Sequence, residues 1–162
     1  MHMLLITIFD ATVLMLMRCL CTVGQVVHTL PEGPTVTGVT SLGDEVFVLR
    51  NKRRNKVEVY DVITYRLLRC LNVPNCHGFA DMTSCEHHHC VYISDPGDNC
   101  MHRIDVQGVV TQWTVSAEPN GLSVNKAHNV LVTCGVVRKV KEFSTLGELL
   151  RDVTLPDDVI YP

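Results

Sequence analysis

Val91-Tyr92-Ile93-Ser94-Asp95-Pro96-Gly97-Asp98-Asn99 is the stretch on which the fold turns: a short apolar run ending in a dense turn signal. Two other runs match it. Val46-Phe47-Val48-Leu49 stands 45 residues earlier and Val130-Leu131-Val132-Thr133 39 residues later. Each is followed at a similar distance by a second β-type run: Val57 to Asp61, His102 to Asp105, and Lys141 to Ser144. Each unit then closes on a proline, at Pro74, Pro119 and Pro156. A repeat of about 40–45 residues built from short strands is the signature of β-propeller blades. The predicted fold is therefore all-β, an incomplete β-propeller of about three four-stranded blades.

The blades are expected at residues 36–74, 77–119 and 120–156. Residues 1–35 read as a hydrophobic N-terminal segment with part of a preceding blade, and 157–162 as the start of a further blade cut short. Val57-Glu58-Val59-Tyr60-Asp61-Val62 alternates as a half-exposed strand does, whereas Val46 to Leu49 is unbroken, as in a sheet covered on both faces. A closed propeller needs roughly 4–8 blades. Three repeats therefore lead to the expectation of a piece of a longer propeller, the alternative being an open arc completed by a partner or a second copy. Sheet edges left open in this way predict self-association of the isolated chain.

The repeat that starts at Val91 resembles the NHL-type propeller repeat. Its apolar strand ends in Asp95, a Gly97 to Asn99 turn follows, and His102-Arg103-Ile104-Asp105-Val106 leads to the Gly108 turn. The chain is also similar to uncharacterised invertebrate propeller proteins. Repeats one and three depart from the pattern, with Arg50 and Cys134 where Asp95 stands. The resemblance implies a scaffold whose relatives bind proteins or RNA, some of them being enzymes.

Composition narrows the function. Hydrophobic residues make up 46 % of the 162-residue chain and charged ones 19 %, enough for a core and too apolar for disorder. A formal charge of −3 argues against a general polyanion binder. The one basic cluster, Arg50 to Lys56, falls in a hairpin loop, where a solvated turn is the plain reading and a nucleic-acid contact the sharper one. Eight cysteines (Cys19, Cys21, Cys70, Cys76, Cys85, Cys90, Cys100 and Cys134) show no disulfide framework and read as reduced thiols. The apolar run at residues 3–17 carries Asp10 and is too short for a membrane span. It lacks the basic start of a signal peptide. No membrane span is expected, and the localisation reads as cytoplasmic, with secretion the alternative if residues 3–17 act as a signal.

Candidate chemistry is sparse. Cys85-Glu86-His87-His88-His89-Cys90 offers zinc-type ligands, with Cys76, His77 or Cys100 to complete a set, yet a defined second ligand pair is missing. A polar turn between two strand-end cysteines is the expectation there, a Cys85–Cys90 disulfide the minor alternative. Asp81 and Asn120 are the residues placed to face a central channel, as in propeller hydrolases. Asp61, Asp95 and Asp105 read as turn caps, Trp113 as packing between blades, and Ser116, Ser144 and Thr145 as ordinary surface hydroxyls. No hydrolase motif occurs. The sequence thus predicts no catalytic residue, no metal site and no cofactor. It predicts a protein-interaction scaffold rather than an enzyme, with another protein as partner; the alternatives are an RNA-binding NHL-type module and, further off, a propeller hydrolase or lactonase.

Overall fold

The computed structural model describes residues 35–50, 56–74 and 81–156 in full, together with the strand backbones at Leu5–Phe9, Thr12–Leu16 and His28–Thr29. Those three short strands, β1 to β3, form an antiparallel sheet in chain order, so the described parts of the apolar run at 3–17 are two paired strands. No helix of the described residues is long and apolar enough to cross a membrane. The possible further unit at 157–162 and the ligand candidates Cys76 and His77 lie outside the described residues.

The rest is three four-stranded antiparallel meanders. Blade 1 holds β4 (Val36–Leu42), β5 (Glu45–Arg50), β6 (Lys56–Asp61) and β7 (Leu67–Asn72). Blade 2 holds β8 (Met82–Cys85), β9 (Cys90–Asp95), β10 (Cys100–Asp105) and β11 (Val110–Thr114). Blade 3 holds β12 (Leu122–Val124), β13 (Val130–Cys134), β14 (Lys139–Phe143) and β15 (Leu149–Thr154), with a single 3₁₀ turn at Gly135–Val137. The matched apolar runs are the second strands β5, β9 and β13. The chain is all-β, an incomplete β-propeller of three blades.

Alternation along these strands decides what packs where. Phe47, Leu49, Val57 and Val59 of blade 1 join Met82, Val91, Ile93 and Ile104 of blade 2 in one apolar cluster. The opposite side of blade 2, with Tyr92 and Met101, packs on Val130, Val132 and Phe143 of blade 3. Blade 2 is covered on both faces, which is why all six residues of β9 are buried. Burying each such Val, Leu or Ile contributes about 1.5–3 kcal/mol. The fourth strands lie on the outside; Leu67, Leu68, Leu149 and Leu150 remain about half exposed.

The innermost strands run side by side, β4 next to β8 and β8 next to β12. The approach is close: a Cβ on Gly38 would meet Met82 Cγ at 3.0 Å and its backbone nitrogen at 3.2 Å. Polar clips hold the same line. Thr40 Oγ1 donates to Ser84 Oγ (2.9 Å), which donates to the Ser41 carbonyl (2.6 Å).

Candidate functional site

In an antiparallel meander the first and third turns of every blade emerge at one end and the second turn at the other. The first turn of blade 2 is Glu86 to His89, between paired residues Cys85 and Cys90. Both thiols are free and buried, and burial pushes the Cys90 thiol up. Glu86 reaches back to the first turn of blade 1, accepting the Gly43 N–H at 3.2 Å. The His87 ring stacks on His128 from the first turn of blade 3, centroids 4.0 Å apart at 7°. His88 meets both edge-on, at 4.6 Å from His87 and 5.9 Å from His128. Burial, followed by the charges of His87, His128 and Arg103, holds the His88 imidazole below its usual pKa.

Sequence reasoning found His87, His88 and His89 but missed His128. The signal was present: the 39-residue offset between β9 and β13 maps His89 onto His128. Both have left-handed backbone, with φ of 47° and 64°. At the same end, the third turns carry exposed aliphatic residues: Ile63 in blade 1, Val106 and Val109 in blade 2, Leu146 in blade 3. Each turn is capped from its first residue. Asp61 Oδ1 accepts the Ile63 and Thr64 N–H groups, Asp105 Oδ1 those of Gln107 and Val109, and Ser144 Oγ those of Leu146 and Glu148. Fixed turns therefore present these side chains to solvent.

The pair expected to face a channel is used otherwise. Asp81 Oδ1 accepts the Met82 N–H (2.8 Å) and its Oδ2 the Leu122 N–H of β12 (2.9 Å). Ser94 Oγ donates to the Asn120 carbonyl at 2.6 Å. Asp81 and Asn120 thus clip blade 2 to blade 3. Trp113 sits between the same blades, near Tyr92 and Phe143. A Cβ on Gly147, whose φ is +85°, would strike its ring at 2.6 Å.

A second group lies under the turns of the other end. In β9–β10, Asp95 stands opposite Cys100 and diagonal to His102, so their side chains share the face that packs on blade 1. All three are buried. Asp95 Oδ1 accepts the turn N–H groups of Gly97 (3.0 Å) and Asp98 (3.3 Å). Its Oδ2 lies 3.6 Å from His102 Nε2, and Cys100 Sγ lies 3.5 Å from the same nitrogen. His102 Nδ1 finds no hydrogen-bond partner. Burial, then the Asp95 and Asp98 charges, pushes the Cys100 thiol up to about 11. Burial holds the His102 imidazole below its usual pKa, against the pull of Asp95. Among the described residues this is the group of metal-binding side chains whose ligand atoms all lie within 4.8 Å of one another.

The corresponding positions of blade 1 are Arg50 and Glu58. Arg50 Nε donates to Glu58 Oε2 at 2.9 Å, and Tyr60 donates to the same oxygen at 2.8 Å. The basic cluster therefore loses Arg50 to a buried ion pair, while Lys56 is exposed. Residues 51–55 of that cluster lie outside the described residues.

No protein-family model matches the chain and no curated protein matches it in sequence. Solved structures do. The backbone is similar to virginiamycin B lyase from Staphylococcus aureus, with a TM-score of 0.66 at 16 % identity, covering 75 % of this chain and 42 % of that one. A catalytically inactive form of that lyase with quinupristin aligns with a TM-score of 0.67 at 16 % identity, over 78 % of this chain and 43 % of that one. A functionally unknown protein from Desulfotomaculum acetoxidans gives 0.70 at 12 % identity, over 94 % and 52 %. The chain thus spans less than half the length of the lyase. At such identities the likeness shows the β-propeller fold alone.

Proposed function

We propose that the chain is an interaction scaffold that binds another protein through the end of the propeller formed by the first and third turns. The observation that carries this reading is the His87–His88–His128 ring cluster, built from two adjacent blades and flanked by the exposed Ile63, Val106 and Leu146. Imidazole rings beside aliphatic tips, on turns fixed by their own caps, suit a protein surface of mixed polarity. The resemblance of the second repeat to NHL-type modules supports the same reading. The free thiols of Cys70, Cys85, Cys90, Cys100 and Cys134 favour a reducing, cytoplasmic setting. Self-association belongs to this reading too, since Leu131 and Val140 alternate with the core residues of blade 3 and stay half-buried.

RNA binding is less well supported, because Arg50 is spent on Glu58 and a contiguous basic surface is what phosphates require. A hydrolytic role is weakened by the engagement of Asp81 with two main-chain N–H groups. A photo-crosslinking amino acid placed at position 87 or 146 tests the proposal in cells. Protein adducts from these two positions, insensitive to ribonuclease and absent when the probe sits at Val136 on the opposite end, are the expected result. Adducts from Val136 alone, or adducts that ribonuclease destroys, would overturn it.

A further inference from the structure

We propose that Asp95, Cys100 and His102 are the protein ligands of a zinc ion held between blades 1 and 2. The donor set comes first. A thiolate, an imidazole and a carboxylate together suit zinc, whereas calcium and magnesium take oxygen ligands. Geometry comes next. With zinc–sulfur near 2.3 Å and zinc–nitrogen or –oxygen near 2.0 Å, tetrahedral ligands stand about 3.5 Å apart for S and N and about 3.3 Å for N and O. The structure has 3.5 Å between Cys100 Sγ and His102 Nε2, and 3.6 Å between His102 Nε2 and Asp95 Oδ2.

Hydrogen bonding accounts for the Cys100–His102 contact, which is ordinary for sulfur, but not for the second distance. An N···O separation of 3.6 Å is too long for a hydrogen bond. The equivalent pair in blade 1 closes at 2.9 Å with a tyrosine hydroxyl at 2.8 Å. The fold is therefore able to pull this position tight, and in blade 2 it holds His102 Nε2 at coordination spacing from both other ligand atoms, all three lying within 4.8 Å of one another.

The positions are also rigid. Cys100 and His102 are two apart on β10 and share a face, and Asp95 is fixed by the turn N–H groups of Gly97 and Asp98. That turn is the way in, because Gly97, Asp98 and Asn99 are exposed. A water entering from the exposed turn would complete the tetrahedron. On binding, the Cys100 thiol proton leaves to solvent, and the dication then faces a thiolate, a carboxylate and a neutral imidazole. Binding to the folded chain stabilises the seam between blades 1 and 2.

The test uses the reduced, chelator-treated 162-residue chain and cobalt(II) as a spectroscopic stand-in for zinc. One equivalent of cobalt should give a thiolate charge-transfer band, which zinc then displaces. Cys100→Ser should lose the band, while Cys85→Ser and the His87→Ala/His128→Ala pair keep it. A band that survives in Cys100→Ser, or that disappears only with the His87/His128 pair, would overturn the assignment. Should Cys100→Ser fail to fold, zinc-edge X-ray absorption on the unaltered chain decides: one sulfur with nitrogen and oxygen neighbours supports the site, and two sulfurs or none sink it.

Discussion

In blade 1 the buried polar pair is Arg50 with Glu58; in blade 2 the same two lattice positions hold Asp95 and His102, and in blade 3 Cys134 and Lys141. All six are buried, in the strands on either side of the second turn, and those of blades 2 and 3 lie on the face packed against the preceding blade. Blade 1 satisfies the position with full opposite charges and a second hydrogen bond to Glu58 from Tyr60. Blade 2 brings acid, imidazole and thiol together without closing them. Blade 3 reaches outward, and Lys141 pairs with Asp152 on β15 at 2.8 Å. The lesson is that these positions accept different buried chemistries in different blades.

The sharpest way to break this comparison is to remove one charge from blade 1. Glu58→Gln removes the buried carboxylate that Arg50 and Tyr60 both contact and should cost about 3–5 kcal/mol, read as a drop in urea-unfolding stability. Replacing both, as in Arg50→Met/Glu58→Leu, should restore most of that loss, since a buried ion pair is worth little against well-packed apolar residues. A Glu58→Gln variant as stable as the parent would show that the blade 1 pair is not the tight member of the set.

The matching change in blade 2 should be milder. In metal-free protein, His102→Gln removes a ring that makes no short N–H···O contact and has one nitrogen unsatisfied, so about 1 kcal/mol is expected. Zinc should sharpen the contrast. At free zinc one hundred times its Kd the parent gains about 2.7 kcal/mol and the variant much less. Equal zinc stabilisation of parent and variant in thermal melts would remove the distinction between the two blades.

The repeat was legible in the sequence because the second strands Val46 to Leu49, Val91 to Ser94 and Val130 to Thr133 are covered on both sides or nearly so, and that burial selects unbroken apolar runs. The polar positions were not legible for a related reason. Compared column by column, Arg50, Asp95 and Cys134 look like mismatches to a repeat; the rule they obey is a relation to a residue on the next strand. Periodicity records which face a side chain takes, not the chemistry of its diagonal neighbour. The metal-type ligands drew the eye to His87, His88 and His89, a conspicuous run, although the ligand atoms that converge belong to Asp95, Cys100 and His102. Outer-strand residues such as Leu149 and Leu150 are apolar yet about half exposed, so hydropathy alone does not separate them from the core.

The smallest effect belongs to blade 3, where the partner of the buried Lys141, Asp152, is partly exposed. Side-chain hydrogen bonds from Lys141 and then Lys139 hold the Asp152 carboxyl below its ordinary value of 3.8. Unfolding releases it to that ordinary value, so within the window between the two the unfolded chain binds more protons and stability rises with pH. The contribution is therefore fully present above about pH 4 to 5 and is lost as pH falls through the lowered folded value. Asp152 is partly exposed, its side chain at 31 %, so water and salt screen the pair and the slope should be shallow. Asp152→Asn should flatten the acid limb of the stability profile. An acid limb unchanged by Asp152→Asn would mean that Lys141 is held at the seam by packing of its methylene stem rather than by the carboxylate. Blade 3 would then satisfy the shared position without a charge pair.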